Sequence, residues 1–211
     1  MGYYSRQIFI RRLLPLLRAA CKPDTDQCSP RIVNVLGTGV ETADLYLDDL
    51  ELKQPGHYSV QSYAHHSATM TSVSLKQLAE RPENSGITFI HHHPGIVSTE
   101  IFKKSWGDQW SEDKAAGGPS APSDMTRSTP EEAGERSVYV MTSAQYGGKG
   151  IALTGGQKQG LTVNGTTEGS LFCVGAKLEA LQLDGLLGKL EGNGASDIIW
   201  NKTEELIGKY L

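Results

Sequence analysis

Two short runs, Arg31-Ile32-Val33-Asn34-Val35-Leu36 and Ile87-Thr88-Phe89-Ile90, stand on either side of a stretch that suits a helix from about Ser62 to Ala79. Each run is apolar, rich in β-branched residues and bounded by turn formers, the signature of a buried parallel strand. Parallel neighbours need a connection of a dozen or more residues, so strand, helix and strand in this order predict one right-handed crossover. The second run leads into Pro94-Gly95-Ile96-Val97-Ser98-Thr99, a turn at the carboxyl end of its strand. Open α/β sheets place their ligands in the crevice outside those ends.

The rest of the chain extends this α/β reading. A helix is expected from Tyr4 to Ala20, where Ile8, Phe9, Leu13, Leu16 and Leu17 recur at helical spacing and predict its buried face. Thr129-Pro130-Glu131-Glu132 reads as a helix start, with Thr as N-cap, Pro at the first position and Glu at the third, and that helix should reach about Ser143. Ile151 to Thr154 is expected to be the last strand, followed by Gly-rich, hairpin-like sequence to Cys173. A final helix should span Ala195 to Tyr210 and pack through Ile198, Trp200, Leu206 and Ile207. Between them, Gly107 to Ser128 is rich in Gly, Ser, Pro, Asp and Lys without apolar pattern, and predicts a disordered segment or long loop. The expected organisation is a core over 1–104, a loop over 105–128, and helices with the last strand of the same domain over 129–211.

Composition narrows the function classes. A net charge of −4 gives no basic field for nucleic acid. Cys21, Cys28 and Cys173 follow no C-x-x-C spacing and read as reduced thiols rather than a disulfide framework or zinc site. Arg6, Arg11, Arg12, Arg18 and Lys22 with no acidic residue resemble a transit peptide in composition, but the apolar spacing favours a domain helix. Arginines also interrupt the run too often for it to span a bilayer, so a cytoplasmic protein without a membrane segment is expected.

The histidines fall as His57, His65-His66 and His91-His92-His93. Alternate strand residues share a face, so His91 and His93 would converge and His92 would not. No established metal spacing is present and no metal site is expected. His93, beside the turn, is a candidate acid/base, with His65 or His66 on the neighbouring helix completing a polar pocket. Gly37-Thr38-Gly39 follows a strand but lacks the third glycine of a phosphate loop, and reads as an ordinary turn. Trp106 and Trp110 are candidates for a remnant substrate wall or a loop-stabilising cluster.

Pro94-Gly95-x-Val97-x-Thr99, together with Tyr3-Tyr4-Ser5-Arg6, His66-Ser67-Ala68-Thr69-Met70-Thr71 and Glu131-Glu132-Ala133-Gly134-Glu135-Arg136, resembles the short-chain dehydrogenase/reductase superfamily, in wording like its divergent members in fungal secondary-metabolite clusters. The resemblance implies the C-terminal half of a Rossmann-like, doubly wound parallel sheet, lacking the N-terminal nucleotide-binding βαβ units. It implies NAD(P), a small-molecule substrate, and contact of Pro94, Gly95, Val97 and Thr99 with the nicotinamide end. It carries the proton-shuttling tyrosine onto Tyr63 and the carbonyl-polarising hydroxyl onto Thr38, the nearest to the family's serine. Ser67 stands where the family has its lysine, and the family's glycine-rich loop would precede Tyr3. An N-terminally truncated chain with impaired activity is therefore expected, pairing with a like or unlike partner through helices 4–20 and 62–80. Two alternatives stand beside it: a cofactor-independent lyase, isomerase or cyclase using His93, His65 or His66 and Tyr63, and a non-catalytic fragment or interaction protein.

Overall fold

The computed structural model describes residues 2–21, 30–100, 104, 127–148, 151–153 and 155–211. Strands β1 (Arg31–Val35), β2 (Thr88–His92) and β5 (Leu171–Val174) form a parallel sheet in the order β1-β2-β5. Helix α2 (Val60–Ala79) connects β1 to β2, as the spacing of the two apolar runs predicts. It starts on a reciprocal capping box between Ser59 and Ser62, which satisfies donors that the first helical turn leaves unpaired. The expected last strand is corrected. Ile151–Leu153 has no regular structure and is at best half buried, whereas Leu171-Phe172-Cys173-Val174 is buried on both faces. A strand of a parallel sheet covered by helices on both faces needs that two-sided burial, and the glycine-flanked Ile151 run does not reach it.

Alternation along the strands divides the interior in two. Phe89, Leu171 and Cys173 face a large core with Met70, Val73, Leu75 and Leu78 of α2, while Ile90, Phe172 and Val174 face a smaller one with Val140 and Tyr146. Burying each large apolar side chain contributes about 1.5–3 kcal/mol, so both layers hold the sheet. Helices α1 (Gly2–Ala20), α4 (Asp184–Gly192) and α5 (Ala195–Ile207) join α2 around the larger core; α3 (Pro130–Thr142) covers the opposite face. This is a partial Rossmann-like α/β fold with a parallel sheet and helices on both sides.

The expected face of α1 is corrected in part: Leu17 packs against the larger core as expected. Its buried residues are Tyr3, Gln7, Ile10 and Leu14, while Phe9, Leu13 and Leu16 are 70, 48 and 68% exposed. Tyr3 decides the rotation: Thr203 gives its proton to the Ile199 carbonyl, so the Tyr3 hydroxyl donates to Thr203 (2.8 Å) and accepts from Ser74 (2.5 Å). On α5, Ile199 and Ile207 are buried, whereas the expected packing residue Ile198 is 42% exposed. Trp200 packs against the larger core as expected and also lies against the guanidinium groups of Arg11 (4.1 Å) and Arg81 (4.5 Å) in cation–π contact.

Helix α3 has the predicted Thr129–Glu132 capping box. The expected loop over 105–128 lies outside the described residues except for its end. There Arg127–Ser128 forms β4, paired in parallel with β3 (Ile96–Val97), so those two residues are strand and not loop. Trp106 and Trp110 lie outside the described residues.

Candidate functional site

The carboxyl ends of β1, β2 and β5 carry most of the chain's convergent polar chemistry. Beyond β1 the backbone turns at Gly37-Thr38-Gly39, with Gly39 at φ +104° in the left-handed region that glycine tolerates. The Gly39 amide donates to Glu41 Oε2 (2.6 Å), and the hydroxyls of Thr38 (2.8 Å) and Ser72 (2.7 Å) donate to Oε1. Ser72 has spent its one proton, so His91 Nδ1 donates to Ser72 Oγ (2.8 Å) and must carry the imidazole proton. Glu41 Oε1 itself lies 3.5 Å from His91 Nδ1, with both side chains buried. Burial by itself would raise the Glu41 carboxyl, but the hydrogen bonds and charge of His91 and the Ser72 and Thr38 hydroxyls outweigh it and hold it at about 2.

Sheet register completes the cluster. His91 pairs with Asn34 on one side and Cys173 on the other, which sets the three side chains in a row on the α2 face. Burial pushes the Cys173 thiol up to about 12. His92 points to the other face, its Nδ1 at 3.1 Å from the Val174 carbonyl. His93 donates its backbone amide to the same carbonyl (2.9 Å), and its buried Nδ1 has no partner. Burial lowers the affinity of the His93 imidazole for a proton. From Pro94 the chain runs through Gly95 (φ +85°) into β3, and the Ser98 amide donates to the Ser128 carbonyl (2.9 Å).

The other sequence candidates fall elsewhere. Tyr63 is 37% exposed, and its hydroxyl packs against Gly2 on α1, where a Cβ would collide with it. Ser67 donates within its own helix to the Ala64 carbonyl (3.2 Å). Thr38 is buried with its proton committed to Glu41. His65 and His66 line a separate cleft of about 450 Å³ together with Asp44, Tyr46, Ser59 and Ser62, and His93 is not among its lining residues. His66 Nε2 accepts from the Tyr46 amide (3.2 Å), and burial lowers its proton affinity. Beside the cleft the Tyr46 ring stacks on His57 at 3.9 Å, and His57 Nδ1 sits 2.9 Å from Asp49 Oδ2.

Glu41, Ser72 and Cys173 escaped the sequence reading. A carboxylate three residues after Thr38 was a readable signal; Ser72 and Cys173 become partners only through helix docking and strand register.

An NAD(P) cofactor fits this arrangement in part. The unpartnered His93 Nδ1 beside the left-handed Gly95 suits the amide end of a nicotinamide. The Gly37-Thr38-Gly39 turn does not suit a pyrophosphate, because its amide and hydroxyl donors already serve the internal Glu41 carboxylate.

The chain is 30% identical over 96% of its length to the NmrA-like family domain-containing oxidoreductase notO of Aspergillus sp. (strain MF297-2), with 54% of that protein covered. It is 35% identical over 82% of its length to Oxidoreductase andH of Emericella variicolor, covering 45% of it. To Oxidoreductase AN1596 of Emericella nidulans it is 30% identical over its whole length, covering 61%. It thus spans about half the length of the curated relatives it matches. No protein-family model and no solved structure matches it. Among the described residues no helix is long and apolar enough to cross a membrane. With its parallel sheet and the chemistry gathered at the strand ends, the chain is a relative of fungal oxidoreductases, one of them NmrA-like.

Proposed function

We propose that this chain belongs to a nicotinamide-dependent oxidoreductase of the short-chain dehydrogenase/reductase type, acting in the cytoplasm on a small secondary metabolite. The observation that carries the reading is the meeting of three parallel strand ends with the Pro94-Gly95 turn and the unpartnered His93 Nδ1, in a chain whose relatives bear oxidoreductase names. When bound, NAD(P) supplies or accepts the hydride. Pro94, Gly95, Val97 and Thr99 then orient the ring, and His93 holds or moves a proton at Nδ1. Tyr63 and Thr38 are the inherited acid and polarising positions. With Ser67 in place of a lysine and Thr38 bonded to Glu41, the 211 residues alone turn over slowly or not at all. The exposed Phe9, Leu13 and Leu16 of α1 support association with a like or unlike partner through α1 and α2.

Titration of the 211-residue chain with NADPH and NADH, followed by tryptophan fluorescence and heat, tests this reading. Saturable binding tighter than about 100 μM, weakened in His93→Ala, supports it. Flat titrations with both nucleotides refute it for this chain.

A second reading is favoured by the His57–Asp49 pair beside the Tyr46 cleft: a cofactor-independent lyase, isomerase or cyclase that moves protons through cleft histidines. Turnover without nucleotide that disappears in His65→Ala or His66→Ala distinguishes it from the first.

A further inference from the structure

We propose that Glu41, His91 and Cys173 form a site for one divalent transition-metal cation of the Zn2+ class. One ligand atom from each lies within 4.8 Å of the other two, and the three come from the loop after β1, from β2 and from β5. A carboxylate, an imidazole and a thiolate with a fourth position open form a donor set and ligand number that suit zinc. All three side chains are buried, unlike the exposed acidic groups that gather on surfaces without a metal.

Two further observations point to a cation. The enclosed Glu41 carboxylate accepts from Thr38, Ser72 and the Gly39 amide and, among the described residues, pairs with no lysine or arginine; the nearest basic group is His91, 3.5 Å away. A buried carboxylate needs a compensating charge. The His91 ring is also incompletely used, since Nδ1 gives its proton to Ser72 while Nε2 is buried without a partner. Around these ligands, Thr38, Ser72 and the Gly39 amide hold the carboxylate, the kind of outer hydrogen bonding that orients metal ligands. The Glu41 loop reaches the surface at Gly39, two residues from the carboxylate ligand. With the His91 ring neutral and its Nε2 unprotonated, binding balances with the loss of one proton. Cys173 gives up its thiol hydrogen, and thiolate plus carboxylate neutralise the two positive charges, with no change of oxidation state.

The proposal stands apart from the nicotinamide reading, and its readout is metal rather than nucleotide. The chain, stripped with a chelator and kept reduced with a phosphine, is titrated with Co2+. The expected result is uptake of one ion per chain, a thiolate-to-cobalt charge-transfer band, release of one proton, and displacement by Zn2+. Cys173→Ser should abolish the band, while Glu41→Gln should keep it and weaken binding about tenfold or more. Cys21→Ala should change neither. Zn2+ should raise the Tm of the natural chain and not that of Glu41→Gln. Failure of the folded natural chain to take up stoichiometric Co2+ overturns the proposal, as does a band that persists in Cys173→Ser. If Cys173→Ser does not fold, unweakened binding in Glu41→Gln, or a Zn2+-dependent rise in its Tm equal to that of the natural chain, is likewise a refutation.

Discussion

The strand-end cluster and the cleft beside α2 both set an imidazole against a carboxylate, and they differ in what surrounds the pair. Glu41 and His91 are enclosed, and the carboxylate takes three donors from two hydroxyls and an amide. Asp49 and His57 meet at the edge of an open cleft; the Asp49 carboxylate is held below its usual range, burial opposing and the amides of Gln54 and Lys53 prevailing with His57. Asp49 is itself buried, but without His57 it keeps the Gln54 and Lys53 amides, and His57 is partly open to water; the donors gathered on Glu41 have no such substitute. The same two groups should therefore be structural in one place and replaceable in the other.

The largest test of that contrast is Glu41→Ala. It leaves the hydroxyls of Thr38 and Ser72 and the Gly39 amide without their acceptor, and should cost about 3–5 kcal/mol in chemical denaturation. A loss under about 1 kcal/mol would show the cluster to be wetter than described. Ser72→Ala removes the link between Glu41 and His91 and should cost about 1–3 kcal/mol by the same measurement.

On the cleft side, acid is the probe. Burial lowers the His66 pKa, so near pH 6.5 the unfolded chain takes up a proton that the folded one refuses. The unfolded state then binds more protons, and stability falls as pH drops below about 6.5, by at most about 1.4 kcal/mol per pH unit from this group. Denaturation at pH 7.5 and 5.5 should show a smaller drop in His66→Gln than in the natural chain. His57→Ala removes one of three groups bonded to the buried Asp49, which keeps the Lys53 and Gln54 amides, and should cost about 1 kcal/mol. Smallest of all, Leu16→Ser on the exposed face of α1 should change stability by no more than about 0.5 kcal/mol while altering sedimentation if that face associates.

Local signals in the sequence carried over well. The β-branched run at β1, the helix of α2 and the Thr129 capping box are decided by neighbours within a few residues, and the structure has each of them. Where distant segments compete, local pattern misled. Ile151–Leu153 has strand-like composition, but the place beside β2 is taken by Leu171–Val174, whose Phe172 and Cys173 fill both cores. The apolar stripe of α1 suggested Phe9 and Leu13 inside; the hydrogen bonds of Tyr3 to two other helices turn that stripe outward. The buried cluster was the least legible part, because Glu41, Ser72, His91 and Cys173 are far apart in sequence and meet only through the docking of α2 on the sheet and the register of His91 with Cys173.

The bond between Tyr3 and Thr203 joins positions 200 residues apart. On a ribosome adding about 5–20 residues per second, α1 would emerge roughly 10–40 s before the helix that accepts its hydroxyl proton has been made. Until then α1 has its contacts with α2 and β1 to lean on. Contacts of such long range also slow folding after release. The last helix thus sets the moment at which the first can complete its packing.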